Sequence, residues 1–95
     1  MRLKLSPAAK EDIYKTHEFG ALAFGTRQAD LYVDHLMDTL ARVEQFPEAA
    51  RERDEVAPPI RLWPYASHSI CYRIEGDIVW VVRILHHSMD WRTEV

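Results

Sequence analysis

Two neighbouring segments near the end of the chain constrain its fold more than any other feature. His68 to Glu75 alternates polar and apolar side chains, and Ile78 to Leu85 is almost wholly apolar. Both patterns are typical of β-strands, and the connection Glu75-Gly76-Asp77 is typical of a hairpin turn. The sequence therefore predicts an antiparallel β-hairpin with an apolar face buried in a core.

Burial also predicts the register of this hairpin, because a slip of one residue would move a strand's apolar side chains to its other face. A three-residue loop places the following residues opposite each other: Ile74 and Ile78, Tyr72 and Trp80, Ile70 and Val82. The other face then carries Arg73 and Arg83. Because one helical hairpin can cover only one face of a small sheet, we expect the arginine-bearing face to stay open for a partner or substrate.

The beginning of the chain predicts a short strand followed by a helix. Residues 2–5 alternate, and Ser6 with Pro7 supplies a hydroxyl N-cap and a proline at the first helical position, where its missing N–H costs nothing. The helix should end before Gly25. We expect its large aromatic side chains to close against the sheet: Tyr14, Phe19 and Phe24.

A second helix is predicted from Thr26, taken as its N-cap, to about Phe46-Pro47. Its apolar residues recur at steps of three and four: Ala29, Tyr32, Val33, Leu36, Leu40 and Val43. A charged, proline-bearing loop is predicted over residues 48–59. The strand predicted over residues 60–66 contains Pro64, which restricts it to a sheet edge or a bulge.

These elements predict one α+β domain over residues 1–95, in the order β-α-α-β-β-β, with an antiparallel sheet packed against an N-terminal helical hairpin. With 47% hydrophobic and 28% charged residues the chain has the profile of a globular protein. Its net charge of −3 argues against charge-driven or sequence-specific nucleic-acid binding. Cys71 has no partner for a disulfide or a zinc site. Without a signal peptide or an apolar run of membrane length, we expect a cytoplasmic protein with no cofactor.

The sequence resembles the toxins of the RelE/ParE superfamily, and within it the ParE branch, over nearly its whole length. The resemblance rests on the order and spacing of the following segments: LKLSPAAKEDI, FGTRQADLYVDHL, the FP after the second helix, YASHSICYRIEGD and VVRILHHSMD. It implies the toxin of a chromosomal or plasmid type II toxin–antitoxin system. ParE-like toxins are associated with inhibition of DNA gyrase, so the resemblance implies gyrase as the target.

The resemblance also implies a hetero-oligomer with a small ParD-like antitoxin, whose C-terminal segment folds onto the toxin. We expect it to occupy a groove between the helical hairpin and the sheet. Apolar anchors would come from the second helix and cationic contacts from the strands. The candidate antitoxin-binding residues are Tyr32, Leu36, Leu40, Arg61, Arg73 and Arg83.

The superfamily also contains RelE-like toxins that cleave mRNA on the ribosome, which is the alternative function. RNA cleavage needs a general acid, a general base and positive groups around the phosphate. Here the candidates are Arg61, Arg83 and His86. Against them, Ser69 stands where the ribonuclease-like relatives carry a basic residue, and Asp90 would repel a phosphate. We therefore expect a protein that is not an enzyme. A third alternative is a decayed or purely regulatory member with no toxicity.

The segment after the last strand is interpreted as a contact surface for the target protein. Adjacent histidines on an extended chain point to opposite sides, so a metal site at His86, His87 and Asp90 is not expected. Trp63 and Trp91 fall on neither predicted core face, and unexplained aromatic residues often lie at interfaces. The candidate target contacts are Arg83, His86, His87, Met89 and Trp91.

Overall fold

One five-stranded sheet, with a helical hairpin packed on it, makes up most of the computed structural model, which describes all 95 residues. The elements are β1 (Arg2–Leu5), α1 (Pro7–Phe24), α2 (Thr26–Gln45), β2 (Glu52–Arg53), β3 (Ile60–Tyr65), β4 (His68–Glu75), β5 (Ile78–His86) and α3 (Trp91–Glu94). The α+β class and the order of the six predicted elements are confirmed. The structure adds the two-residue strand β2, inside the predicted loop, and the short helix α3.

The sheet has the order β1-β5-β4-β3-β2, and all its pairs are antiparallel except one. The first strand runs parallel to β5, with Arg2 opposite Ile78 and Leu5 opposite Val81. The prediction of a wholly antiparallel sheet is therefore wrong at this edge. No hairpin joins β1 to β5, so the connection between them does not dictate an antiparallel pair.

The start of α1 is confirmed, but the start of α2 differs from the prediction. Ser6 Oγ accepts the Ala9 N–H at 3.0 Å, and the proline follows at the first helical position. Thr26 is already the first residue of α2, and the cap is Gly25, at φ +93°. With α1 ending at Phe24, a single residue reverses the chain, and the positive φ at that position favours glycine over any other residue.

The main core lies between α2 and the sheet, as the apolar stripe of α2 predicts. Leu36, Leu40 and Val43 expose at most 4% of their surfaces. The cluster is completed by buried residues of α1 and the strands: Ala9, Ile70, Tyr72, Val79, Val81 and Ile84. Trp63, unexplained in the sequence, is half-buried against the same cluster.

The predicted register of the β4–β5 hairpin is wrong. The loop contains two residues, not three, so Glu75 pairs with Ile78 and Ile74 pairs with Val79. Gly76, at φ +60°, allows this tight turn. Further along, the remaining predicted pairs are replaced by the following: Tyr72 with Val81, Arg73 with Trp80, and Ile70 with Ile84. Because nearly every residue of β5 is apolar, its sequence pattern could not select between the two registers.

A β-bulge at Val82 changes which side chains of β5 face the helices. Tyr72 pairs with Val81 and Cys71 pairs with Arg83, so Val82 is the extra residue. Before the bulge Val79 and Val81 enter the main core, and after it Ile84 does so. The extra residue shifts the alternation of side chains along β5 by one position. Apolar residues therefore face the core on both sides of the bulge.

The bulge lies where β1 ends, and polar groups of α1 and its cap replace the missing strand. The Ser6 hydroxyl donates to the Val82 carbonyl at 2.6 Å, and Asp12 Oδ2 accepts the Ile84 N–H at 2.9 Å. Both backbone groups of β5 are thereby satisfied without a neighbouring strand. These bonds also fix α1 to β5 at this point.

Arg83 completes this junction, and its guanidinium is not left open for a partner. Its Nε and Nη2 donate to the two carboxylate oxygens of Asp12 at 2.8 and 2.9 Å, and Nη1 lies 3.4 Å from a Glu94 carboxylate oxygen. The side chains of Arg83 and Asp12 expose 24% and 12% of their surfaces. The hydrogen bonds to Asp12 raise the pKa of Arg83 further.

The second face of the sheet is also covered, contrary to the prediction that it stays open. Ile60, Cys71 and Leu85 form a small buried cluster there, with Trp91 of α3 and Val56 packed against it. The burial of Cys71 raises the pKa of its thiol to about 12. A loop and a four-residue helix thus cover this face of the sheet, as the helical hairpin covers the other face.

The packing of α2 gives a direct test with a matched control on the same helix. Leu40 is 4% exposed and Leu31 is 48% exposed. We expect Leu40→Ala to lower the free energy of unfolding by about 2–5 kcal/mol, because it leaves a cavity in the core. Leu31→Ala should change it by less than about 0.5 kcal/mol. Equal urea-denaturation midpoints for the two variants would contradict the packing of α2 described above.

The junction of α1 and β5 can be tested in the same way. We expect Arg83→Ala to lower the free energy of unfolding by about 2 kcal/mol, because it leaves the Asp12 carboxylate without its bidentate partner. The control is Arg73→Ala, which removes an exposed pair with Glu75 and should cost less than about 1 kcal/mol. If chemical denaturation shows no difference between them, the guanidinium does not hold the junction.

Candidate functional site

The three residues that would serve a ribonuclease are each engaged elsewhere. Arg83 is bound to Asp12 and Glu94, and Arg61 Nη1 donates to the Ala50 carbonyl at 2.6 Å. His86 Nδ1 is 2.7 Å from the Ser88 hydroxyl oxygen. No hydrogen bond joins any two of the three candidates. The guanidiniums of Arg61 and Arg83 are therefore both occupied by oxygens of the chain itself.

The residues expected to bind the antitoxin are also mostly engaged within the fold. Leu36 and Leu40 expose 0% and 4% of their surfaces, so neither offers an edge to a partner. Their assignment as contacts is wrong because the stripe of α2 that looked like a groove lining is core. Arg73 Nε donates to a Glu75 carboxylate oxygen at 2.6 Å, and Tyr32 is half-buried in a polar cluster described next.

His68 is the centre of that cluster, at the end of the sheet near the helical hairpin. Its Nδ1 lies 2.7 Å from the Tyr32 hydroxyl and its Nε2 lies 3.4 Å from the Thr16 hydroxyl. The Tyr65 hydroxyl donates to the backbone carbonyl of Tyr32 at 2.5 Å. Burial, aided by the neighbouring histidines, lowers the pKa of His68. The cluster therefore joins α1, α2, β3 and β4.

Two further histidines extend this cluster to the surface. The rings of His68 and His86 lie 5.3 Å apart between centroids, and those of His86 and His87 lie 4.4 Å apart. The adjacent pair comes together because the chain turns after β5, where the Met89 N–H donates to the His86 carbonyl. No three His, Cys, Asp or Glu side chains are placed to hold a metal ion.

The turn after β5 presents some of the candidate target contacts but not all of them. His86 and His87 are exposed, and Met89 exposes 49% of its surface. Trp91 instead packs on the second face of the sheet, with the Arg92 guanidinium 5.0 Å from its ring centroid. Asp90 caps the short helix α3 by accepting the Arg92 N–H at 3.1 Å.

A further surface, on the outer side of α1, was missed in the sequence. The aromatic residues expected to close against the sheet do not do so: Tyr14, Phe19 and Phe24 expose 70%, 69% and 69% of their surfaces. Leu22 is the most exposed large apolar residue, at 86%. Tyr14 and Leu22 line a shallow groove with His17, Glu18 and Ala21. The sequence did contain a signal for this surface, because Tyr14 and Leu22 lie on a side of α1 away from Ala9 and Gly20.

No helix of the chain combines the length and apolar character needed to cross a membrane.

Among solved structures, a chain described as the chromosomal ParDE toxin–antitoxin system from P. aeruginosa superposes with a TM-score of 0.79. The match covers 90% of this chain and 95% of that one, at 19% identity. At this identity the similarity establishes the fold.

Sequence comparisons establish the family. Toxin ParE1 of Mycobacterium tuberculosis is 33% identical over 90 residues, which are 94% of this chain and 92% of the relative. Toxin ParE3 of Caulobacter vibrioides is 26% identical over 66 residues, covering 70% of this chain and 66% of the relative. The family described as "ParE toxin of type II toxin-antitoxin system, parDE" matches residues 3–91. The chain therefore belongs to the ParE toxins of type II toxin–antitoxin systems.

Proposed function

We propose that this chain acts by binding and inhibiting DNA gyrase, and that a ParD-like antitoxin neutralises it by forming a complex with it. Membership in the ParE family supports both parts. One observation favours this proposal over RNA cleavage. Arg61 donates to the Ala50 carbonyl and Arg83 donates to Asp12, so both guanidiniums are occupied within the fold. A transition state with developing charge on a phosphate needs free positive groups, and these two guanidiniums are held by protein oxygens.

The proposed target contact is the turn formed by His86, His87 and Met89. All three are exposed, and they combine an apolar side chain with two rings that can donate or accept hydrogen bonds. A mixed surface of this kind suits a protein contact. Arg83 and Trp91 make contacts within the fold. Their proposed role is to hold β5 and α3 in place beside this surface.

The proposed antitoxin contact is the outer side of α1, and it replaces the groove expected from the sequence. Tyr14 and Leu22 lie along one side of the helix and expose 70% and 86% of their surfaces. Exposed large apolar side chains that line a groove on a small protein are typical of an interaction site. A shallow groove lined by Tyr14, Ala21 and Leu22 together with His17 and Glu18 fits an amphipathic helix of the partner.

The gyrase proposal is tested with two methionines of nearly equal exposure. Met89 is 49% exposed and Met37, on α2, is 47% exposed. We expect the purified protein to inhibit supercoiling by gyrase, or to trap its cleaved complex, without degrading RNA. Met89→Ala should weaken this inhibition by about tenfold or more through lost apolar contact. Met37→Ala should leave it unchanged, and both variants should keep the wild-type melting temperature.

One outcome would overturn the gyrase proposal in favour of the alternative. Expression of the toxin would stop translation first, and mRNA would be cut within ribosomes. His86→Ala would then abolish cleavage while ribosome binding persisted. Equal inhibition of gyrase by the Met89→Ala and Met37→Ala variants would instead place the contact on a different surface.

The antitoxin proposal is tested with two leucines on the helical hairpin, Leu22 on α1 and Leu31 on α2. The partner to be tested is a small protein encoded by an adjacent or overlapping reading frame. We expect Leu22→Gln to weaken the affinity between the toxin and this partner about tenfold or more. A leucine side chain that becomes buried in the complex contributes about 1.5–3 kcal/mol to binding. Leu31→Gln should bind as the wild type does. Toxicity in cells should persist in both variants, and unchanged affinity of the Leu22→Gln variant in titration calorimetry would refute this contact.

A further inference from the structure

We propose that His68 is the centre of a proton-sensitive latch that holds the helical hairpin against the end of the sheet. The latch consists of His68, Tyr32, Thr16 and the backbone N–H of Ser67. It is closed while the His68 ring is neutral and opens when the ring takes up a second proton. The inference is independent of the proposed target and antitoxin.

The hydrogen-bond geometry assigns the neutral tautomer of His68. The Ser67 N–H donates to the Tyr32 hydroxyl oxygen at 3.2 Å. The hydroxyl proton of Tyr32 is then directed to His68 Nδ1, 2.7 Å away. Nδ1 is therefore the acceptor and Nε2 carries the proton, which points to the Thr16 hydroxyl oxygen. Each polar group of the latch has a partner in this arrangement.

Protonation of His68 removes the acceptor on which this arrangement depends. A proton on Nδ1 faces the Tyr32 hydroxyl, which must turn its own proton away. No other acceptor in the structure is hydrogen-bonded to that hydroxyl. The hydroxyl oxygen can then accept from Nδ1–H, but the hydroxyl proton loses the acceptor that it has in the neutral state, so protonation weakens the contact that joins α2 to β4.

The charges around His68 act mostly in the same direction. His86 of β5 and the following His87 disfavour a positive charge on His68, and Asp12 of α1 is the carboxylate that opposes them. The Asp12 carboxylate is itself paired with the Arg83 guanidinium. From α2 and β3, the latch is faced by the phenols of Tyr32 and Tyr65. Burial of the ring is the largest cause of the lowered pKa of His68, and the two neighbouring histidines add to it.

The direction of the pH dependence follows from this lowered pKa. An unfolded histidine titrates near pH 6.5, so between that pH and the lower pKa of the folded state the unfolded chain binds more protons. The stability contributed by the latch is therefore fully present above about pH 6.5 and is lost as the pH falls through the folded pKa of His68. Mild acid should loosen the hairpin before it unfolds the sheet.

The tautomer and the titration can be measured on the intact wild-type protein by nitrogen-15 NMR of the histidine side chains. We expect His68 to carry its proton on Nε2 at neutral pH and to titrate below about pH 6.5. Tyr32→Phe removes the hydroxyl donor and should move the titration of His68 to higher pH. A proton on Nδ1, or a titration at or above the ordinary histidine value, would overturn the proposal.

The coupling to the hairpin is measured with His68→Asn, whose side-chain oxygen accepts a hydrogen bond but does not titrate. The matched control is His35→Asn, at an exposed position of α2 outside the latch. Between about pH 7.5 and pH 5.5 the urea midpoint of the wild type and of the control should fall together. The midpoint of the His68→Asn variant should fall distinctly less. Equal losses in all three proteins would refute the latch, and if His68→Asn does not fold, the wild-type titration decides.

Amide exchange distinguishes local opening from global loss of stability. As His68 is protonated, protection of the Ser67 amide should fall by about tenfold or more, while protection of the Val81 amide in the centre of the sheet should hold. A parallel fall at both amides, or no fall at Ser67, would contradict a latch that opens locally.

Discussion

The structure depends on how the open edge of β5 is satisfied where β1 ends. From Val82 onwards the strand has no neighbour on that side, and its backbone groups would otherwise lack partners at a bulge. The Ser6 hydroxyl and the Asp12 carboxylate supply the bonds to Val82 and Ile84. Ser6 also caps α1, so one side chain starts the helix and joins it to the sheet. The position of the whole hairpin follows from this junction.

The same junction explains why the arginines do not form an open cationic face. The bulge at Val82 places Arg83 opposite Cys71, and its guanidinium then reaches both Asp12 and Glu94. It thereby links the N-terminal helix to the C-terminal one across β5. A residue that looked like a functional group is part of the support of the fold. A loss of toxicity on its substitution would therefore have to be separated from a loss of stability.

Two exposed regions carry the proposed contacts. Exposed apolar residues of α1, such as Tyr14 and Leu22, form one region, and the turn carrying His86, His87 and Met89 forms the other. Under the proposed function, the first binds the antitoxin and the second binds the target. The latch at His68 lies between them, since its ring contacts His86 on one side and Thr16 of α1 on the other.

The sequence by itself determined the six main elements, their order and the family, because these depend on local signals, whereas β2 and α3 were not predicted. The Ser6-Pro7 start of α1, the stripe of Leu36 and Leu40, and the alternation of β4 are each readable within a few residues. The stripe that contains Leu36 and Leu40 lies in the core, and the role expected for these two leucines as partner contacts was wrong.

The tertiary structure alone decided the register, the bulge and the state of the candidate site. An almost wholly apolar β5 fits two registers equally well, and only packing against α2 and the edge bonds from α1 select one. Whether Arg83 is free depends on Asp12, which is 71 residues away in the chain. Whether Tyr14 is buried depends on which side of α1 packs against α2 and β5. Such contacts join distant parts of the chain, and no local pattern of residues encodes them.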